Sequence, residues 1–176
     1  MTKYAQKPVC KYMVFLDIDG VFTSTRVQYA SGNPTDMWNV FDPVAVGFMN
    51  KIHDKYDGVY FALVSTWKQY LRNDDTMIEH WVTSSFRNAG FRGEFWSPWK
   101  TNPDNSTEFK TRAYEAADYM KKYAPDLKDF IVFDDNDYNW EHAFGKKRWV
   151  RTDPENGMCF RHMKDAMSLM GTWDEK

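Results

Sequence analysis

The stretch YMVFLDIDGVFT, residues 12–23, joins a short apolar run to two carboxylates and a glycine. The run from Tyr12 to Leu16 is wholly apolar, as expected for a strand that is covered on both faces of a sheet. Asp17 and Asp19 follow directly and so fall at the carboxyl end of this strand, where open α/β sheets bind ligands. Gly20 permits a sharp bend that lets both carboxylates face one site. The stretch therefore predicts an α/β fold with an acidic site at one edge of its sheet.

Apolar runs alternate with helical patterns along the rest of the chain. Further strands are expected at Val59 to Val64 and Phe130 to Phe133, with a weaker candidate at Arg148 to Val150. Helical spacing of apolar residues predicts helices in four places: after the Asp42 cap and Pro43, from Asp74 to Ala89, from Ser106 to Tyr123, and from about Phe160 to Met170. Strands that alternate with helices imply right-handed crossovers and a mostly parallel sheet.

One domain over residues 1–176 is expected, because no repeat or low-complexity tract interrupts this alternation. Two stretches rich in Gly, Pro and polar residues look irregular and are long for connections. Residues 23–41 are predicted to form a flap. Residues 91–105 are predicted to be irregular within an inserted segment, residues 68–106.

Composition excludes several classes of protein. The net charge of -2 gives no overall attraction to nucleic acid, but it does not exclude a local basic groove. The two cysteines, Cys10 and Cys159, have neither metal-ligand nor disulfide spacing, which favours a reducing compartment. No signal peptide and no membrane-length apolar run is found, so a cytoplasmic protein without a membrane partner is expected.

A second acidic cluster follows the predicted strand at residues 130–133, where Asp134, Asp135 and Asp137 stand close together. Parallel strands bring their carboxyl ends to one edge, so this cluster should meet the Asp17–Asp19 pair. Close negative charges need a compensating cation, and an oxygen-only ligand set suits Mg²⁺ better than zinc. Spacing alone does not choose which residue of the second cluster is the metal ligand.

Hydroxyl and ammonium groups are expected at the same edge. The second strand ends in FALVSTWK, and we prefer Ser65 over Thr66 because Ser65 follows the apolar run directly. Lys110, or alternatively Lys100, can project its ammonium toward the same pocket. A nucleophilic carboxylate such as Asp17, with a hydroxyl, a lysine and a metal, makes a phosphoryl-transfer site.

These segments resemble the four motifs of the haloacid dehalogenase (HAD) superfamily, in the family's order. VFLDIDGVFTS resembles the first motif and FALVST the second, whereas Lys110 and VFDDND resemble the third and fourth. The resemblance implies a Rossmann-like three-layer α/β sandwich with a mostly parallel sheet. The short gap between the first two motifs implies a small or absent cap.

The resemblance also implies a role for each site residue. Asp17 would be the nucleophile, and Asp19 the general acid and then the general base. Ser65 would bind the phosphoryl oxygens and Lys110 would brace the phosphoaspartate. Mg²⁺ would be held by Asp17, the backbone carbonyl of Asp19, and Asp135 or Asp134. An aspartate at position 19 favours a phosphatase over the dehalogenase branch.

A narrower similarity links the chain to small HAD domains found with RNA-repair proteins. Those domains place a Trp and a basic residue after the second motif, here Trp67 and Lys68, although no P-loop of a fused kinase is found in this chain. The substrate-binding residues are thus predicted to be Ser65, Thr66, Trp67, Lys68 and Lys110. The predicted substrate is a nucleotide or a nucleic-acid terminal phosphate.

Other readings of the substrate side stay open. Trp96 and Trp99 stand among basic residues, so that they either stack a base or pack this segment onto the core. The alternative functions are a phosphatase of a sugar phosphate or other small metabolite, and a catalytically silent HAD-like binding module.

Overall fold

A computed structural model describes residues 8–31, 41–69, 75–102 and 111–176. Its sheet is five-stranded, with the order β3-β2-β1-β4-β5 and every neighbouring pair parallel. The strands are β1 (Tyr12–Leu16), β2 (Val59–Leu63), β3 (Phe95–Lys100), β4 (Asp129–Asp134) and β5 (Trp149–Arg151). The predicted α/β architecture is confirmed, and no large cap is found in the described part of the chain.

Helices flank this sheet. The helices of the described ranges are α1 (Thr25–Ala30), α2 (Pro43–Lys55), α3 (Asp75–Asn88), α4 (Arg112–Tyr123), α5 (Trp140–Phe144) and α6 (Phe160–Leu169), with 3-10 turns at Thr66–Gln69 and Lys146–Arg148. The Asp42 carboxylate accepts a hydrogen bond from the Val44 N–H at 2.9 Å, so the predicted cap of α2 is confirmed. No helix among the described residues has the length and apolar character needed to cross a membrane.

Of the two predicted irregular segments, one is contradicted by the structure and the other stays a prediction. Residues 91–105 are not irregular throughout, because they contain β3, which pairs with β2 in the main sheet. Sequence patterning missed β3 because it is a half-exposed edge strand that contains Pro98, a residue tolerated at sheet edges. The predicted flap 23–41 begins with α1, a helix too short to show apolar periodicity, and residues 32–40 lie outside the described ranges, so the flap stays a prediction.

Alternate residues of β1 pack into two apolar layers, one on each face of the sheet. Val14 and Leu16 belong to the layer that also holds Phe86 of α3 and Ala166 of α6. The opposite layer includes Phe15, together with residues of α4 and α5. Burial on both faces is the physical reason for the continuous apolar runs of the central strands.

The register of the sheet brings the predicted site residues to one edge. Leu16, the last residue of β1, pairs with Leu63 of β2 and with Phe133 of β4. Asp17 and Asp134 therefore leave neighbouring strands at the same level, and the Asp17 N–H donates to the Phe133 carbonyl at 2.9 Å.

Candidate functional site

Three carboxylates form a cluster at this edge. Asp17, Asp134 and Asp135 each offer one oxygen within 4.8 Å of the others. Asp17 is 2% exposed and Asp134 is 0% exposed. Burial, and then the Asp17 charge, raise the pKa of Asp134 and of Asp135. A cation bound here would favour the ionised carboxylates and so lower both pKa values.

The Asp134 carboxylate already has several hydrogen-bond donors. Its Oδ1 accepts from the Asn136 N–H at 3.0 Å. Its Oδ2 accepts from Arg112 Nη1 at 2.7 Å and from the indole N–H of Trp140 at 3.1 Å. Both oxygens of Asp134 therefore already accept hydrogen bonds from described residues of the protein.

The other two carboxylates of the cluster are better placed to hold a metal. The buried Oδ1 of Asp17 has no hydrogen-bond partner among the described residues. The Oδ1 of Asp135 accepts a hydrogen bond from the side-chain amide of Asn136 at 3.0 Å. An unpartnered buried oxygen beside further carboxylate oxygens fits a hard cation such as Mg²⁺. Asp137 lies outside this cluster and instead accepts from the Glu141 N–H at 3.3 Å, near the start of α5.

Gly20 lets the two acidic loops approach. Its φ of +69° is in the region that favours glycine. A Cβ added at Gly20 would lie 2.6 Å from the Asp135 Cβ and 2.7 Å from its Oδ2, closer than atoms can pack. The glycine predicted from the first motif therefore has a second role, that of admitting Asp135.

The Asp19 carboxylate is held at both oxygens and stands apart from the acidic cluster. Oδ1 accepts from the Thr23 hydroxyl at 3.0 Å, and Oδ2 accepts from the indole N–H of Trp67 at 2.8 Å. Burial raises the pKa of Asp19, and the bonds from Trp67 and Thr23 oppose that rise. Trp67, predicted to bind substrate, is thus buried with its polar atom on Asp19.

Arg112 is a cation that contacts the nucleophile candidate Asp17, and sequence reasoning missed it. Its Nη1 lies 2.7 Å from Asp17 Oδ2 and 2.7 Å from Asp134 Oδ2. Its guanidinium carbon lies 4.0 Å from the centre of the Tyr138 ring. Burial would lower the pKa of Arg112, but the two carboxylates raise it above its usual range.

A signal for Arg112 was present in the sequence. Arg112 stands four residues before Ala116 and seven before Tyr119, so helical spacing places it on the apolar face of the helix, and the structure buries all three. The predicted Lys110 lies outside the described residues, so its role stays a prediction. The alternative, Lys100, is buried at the carboxyl end of β3, with its ammonium 5.5 Å from the centre of the Trp99 ring.

A second buried ion pair lies behind the phosphate-binding candidates. Ser65 is fully buried after β2, and its Oγ accepts from the Trp67 backbone N–H at 3.3 Å. Lys68 forms an ion pair with Glu115 and donates to the Thr101 hydroxyl at 2.7 Å. Burial lowers the pKa of Lys68, whereas Glu115 opposes that shift. Both charges are thus compensated within the protein, which favours a supporting role for Lys68.

The two tryptophans of the aromatic and basic segment pack onto the protein. Trp99 is buried in the core. The indole N–H of Trp96 donates to the Tyr123 carbonyl at 2.8 Å, and its ring lies 4.8 Å from that of Tyr60. Of the two readings left open by the sequence, packing is the one that these contacts support.

Comparison with known proteins gives the family. Residues 13–162 match the family described as the HAD domain in Swiss Army Knife RNA repair proteins. The chain belongs to this family. No curated protein matches the sequence of this HAD domain. A solved structure, the HAD domain of effector protein Lem4 from Legionella pneumophila, is similar to it with a TM-score of 0.49 and 14% identity, over 96% of this chain and 98% of that one.

The family match confirms the resemblance drawn from the motifs. It spans every motif position from Asp17 to Asp135, and the acidic cluster of this HAD domain is consistent with the metal site of HAD enzymes.

Proposed function

We propose that this HAD domain is a Mg²⁺-dependent phosphomonoesterase in which Asp17 becomes phosphorylated. The observation that carries the proposal is the environment of the Asp17 carboxylate. One of its oxygens contacts Arg112, and the other is buried without a hydrogen-bond partner among the described residues, within a group of three carboxylates.

The chemistry has two steps. The Asp17 carboxylate attacks phosphorus, the bond to the leaving oxygen breaks, and that oxygen keeps the electron pair and takes a proton from Asp19. Water then attacks the phosphoaspartate and gives its proton to Asp19. The bond between phosphorus and the Asp17 oxygen breaks, which releases inorganic phosphate and regenerates both carboxyl groups.

Neighbouring side chains stabilise the charge that develops on the phosphoryl group. Arg112 braces Asp17 from the protein side, and the Ser65 hydroxyl donates to a phosphoryl oxygen. Lys110, with Lys100 as the alternative, supplies a further cation. Asp17 and Asp135, with the backbone carbonyl of Asp19, would hold Mg²⁺, and Asp134 orients Arg112. The bound Mg²⁺ supplies positive charge that offsets the charge of the phosphate.

The proposed substrate is a terminal phosphate of a nucleotide or nucleic acid. Two observations support this class: the family is described by its occurrence in RNA repair proteins, and no large cap covers the site edge in the described ranges. Thr66, next to Ser65, is half-buried, whereas Ser65, Trp67 and Lys68 are buried. Among the described residues of the predicted substrate-binding set, Thr66 is therefore the one that solvent can reach. A sugar phosphate or other small metabolite is the alternative substrate.

The test measures release of phosphate. Purified protein is assayed with p-nitrophenyl phosphate, with Mg²⁺ and with EDTA. Nucleoside monophosphates, sugar phosphates and oligoribonucleotides that carry a 3′- or 5′-phosphate are then compared. We expect Mg²⁺-dependent turnover and the highest kcat/KM on the nucleotide or oligonucleotide esters. Preference for a sugar phosphate would replace the proposed substrate, and no turnover of any ester would overturn the proposed activity.

A trapping experiment separates a competent site from a silent one. BeF₃⁻ with Mg²⁺ mimics the phosphoaspartate, so it should raise the melting temperature beyond the effect of Mg²⁺ alone. Asp17→Asn should abolish the additional rise. A wild type that BeF₃⁻ does not stabilise beyond the effect of Mg²⁺ alone would indicate a binding module without turnover.

A further inference from the structure

We propose that Trp67 is a positioning residue that orients the Asp19 carboxyl group for proton transfer to the leaving oxygen. This inference rests on the proposed phosphatase activity and assigns to Trp67 a role different from the predicted contact with substrate. It starts from the 2.8 Å hydrogen bond between the Trp67 indole and Asp19 Oδ2.

The chemistry of the two donors distinguishes the oxygens of Asp19. An indole N–H can only donate, and the hydroxyl oxygen of a carboxylic acid is a weaker acceptor than its carbonyl oxygen, so a proton on Oδ2 would weaken the bond from Trp67. A hydroxyl both donates and accepts, so Thr23, 3.0 Å from Oδ1, tolerates a proton on that oxygen. Trp67 thereby selects Oδ1 as the oxygen that carries the proton to the leaving group.

The backbone and ring of Trp67 are themselves fixed. Trp67 is 4% exposed, and its ring centre lies 6.2 Å from that of Phe41. Its backbone N–H donates to Ser65 Oγ at 3.3 Å. One residue thus contacts both the proposed general acid and the proposed phosphate-binding hydroxyl, and sets their relative position.

Leaving-group dependence tests this role. Trp67→Phe keeps an apolar ring but removes the indole donor. Nucleoside monophosphates have a poor leaving group that needs the proton, so their kcat/KM should fall roughly 10- to 100-fold. The p-nitrophenolate of p-nitrophenyl phosphate leaves without a proton, so its kcat/KM should fall less than about threefold.

The matched control is Trp173→Phe. Trp173 is 5% exposed, and its indole donates to the Asp129 carboxylate at 3.0 Å, at the opposite end of β4 from the site. This variant loses the same kind of buried bond and should leave the ratio between the two esters unchanged. Equal losses on both esters in Trp67→Phe would overturn the positioning role.

A double variant adds an independent readout. If Trp67 acts through Asp19, adding Trp67→Phe to Asp19→Asn should cause no further loss of nucleoside monophosphate turnover. A further loss of the same size as in the wild-type background would indicate a structural role only.

Benzothienylalanine at position 67 replaces only the indole N–H with sulfur, so it serves if Trp67→Phe does not fold. The same selective loss is expected, and an unchanged ester ratio overturns the proposal. Absence of turnover by the wild type would instead contradict the phosphatase activity itself.

Discussion

At the carboxyl end of the sheet, charged side chains are buried against one another, whereas at the amino end they pair on the surface. Arg112 lies between Asp17 and Asp134, and Lys68 contacts Glu115, all of them buried. At the amino end, Lys128 contacts Asp174 at 2.8 Å and Lys55 contacts Glu175 at 2.9 Å, with exposed side chains.

The difference lies in solvation. Removing charges from water is strongly unfavourable unless partners compensate, whereas exposed pairs contribute little to stability. Stability alone would not favour buried charges. Their presence at the carboxyl end of the sheet therefore indicates a functional site. The following predictions, from the largest expected effect to the smallest, test this contrast.

Asp17→Asn should remove the nucleophile and lower phosphate release by roughly three orders of magnitude or more. Initial rates with p-nitrophenyl phosphate measure this. The control is Asp137→Asn, which neutralises a carboxylate of the neighbouring loop that lies outside the cluster and should keep most of the activity. Full activity of Asp17→Asn would exclude the aspartyl-phosphate route.

Arg112→Met should lower kcat by about 10²- to 10³-fold, because it removes the cation beside the nucleophile. It also leaves buried carboxylates without their partner, and the free energy of unfolding should fall by about 3–5 kcal/mol. Steady-state kinetics and urea unfolding check the two effects. Arg112→Lys keeps the charge, so its kcat and its free energy of unfolding should lie between those of Arg112→Met and the wild type. Equal values for the Met and Lys variants would contradict a charge-based role.

Gly20→Ala should weaken Mg²⁺ activation roughly 10- to 100-fold, because a Cβ there displaces Asp135 and shifts the ligand set. The concentration of Mg²⁺ that gives half-maximal activity is the measurement. Gly90→Ala is the matched control: Gly90 also has a positive φ, +86°, but a Cβ there has nothing within 4 Å, so this variant should leave the concentration unchanged. Equal behaviour of the two variants would argue against Asp135 as a ligand.

Glu115→Gln should leave the buried Lys68 ammonium without its counter-charge and lower the free energy of unfolding by about 3–5 kcal/mol. Urea denaturation measures it. The double variant Lys68→Met with Glu115→Leu removes both charges and should regain much of the loss. A double variant less stable than Glu115→Gln would show that the pair itself is strongly stabilising.

Asp174→Asn, at the amino end, should leave the midpoint of urea unfolding unchanged within error, because its pairs with Lys128 and Lys11 are exposed. The difference in urea midpoint between this variant and the wild type should also stay within error when the salt concentration is raised, because salt screens exposed pairs. A loss comparable to that of Glu115→Gln would break the contrast between the two ends of the sheet.

The central strands and the acidic edge of the sheet follow from the sequence alone. β1, β2 and β4 are buried on both faces of the sheet. Each is therefore a run of apolar residues that can be recognised from its own sequence. The carboxylates follow the runs of β1 and β4 directly. Parallel pairing then requires that they meet, which is why the cluster of Asp17 with Asp134 and Asp135 was foreseeable.

Contacts between groups far apart in the sequence depend instead on how the elements pack in three dimensions. Edge strand β3 has only partial burial, so its pattern carries no clear period. The contact of Arg112 with Asp17 depends on how α4 is rotated against the sheet. The bond from Trp67 to Asp19 depends on how the 3-10 turn after β2 packs beside the loop after β1. Such contacts arise from the packing of whole elements, which local spacing does not encode, whereas burial and its apolar pattern are local properties of each strand.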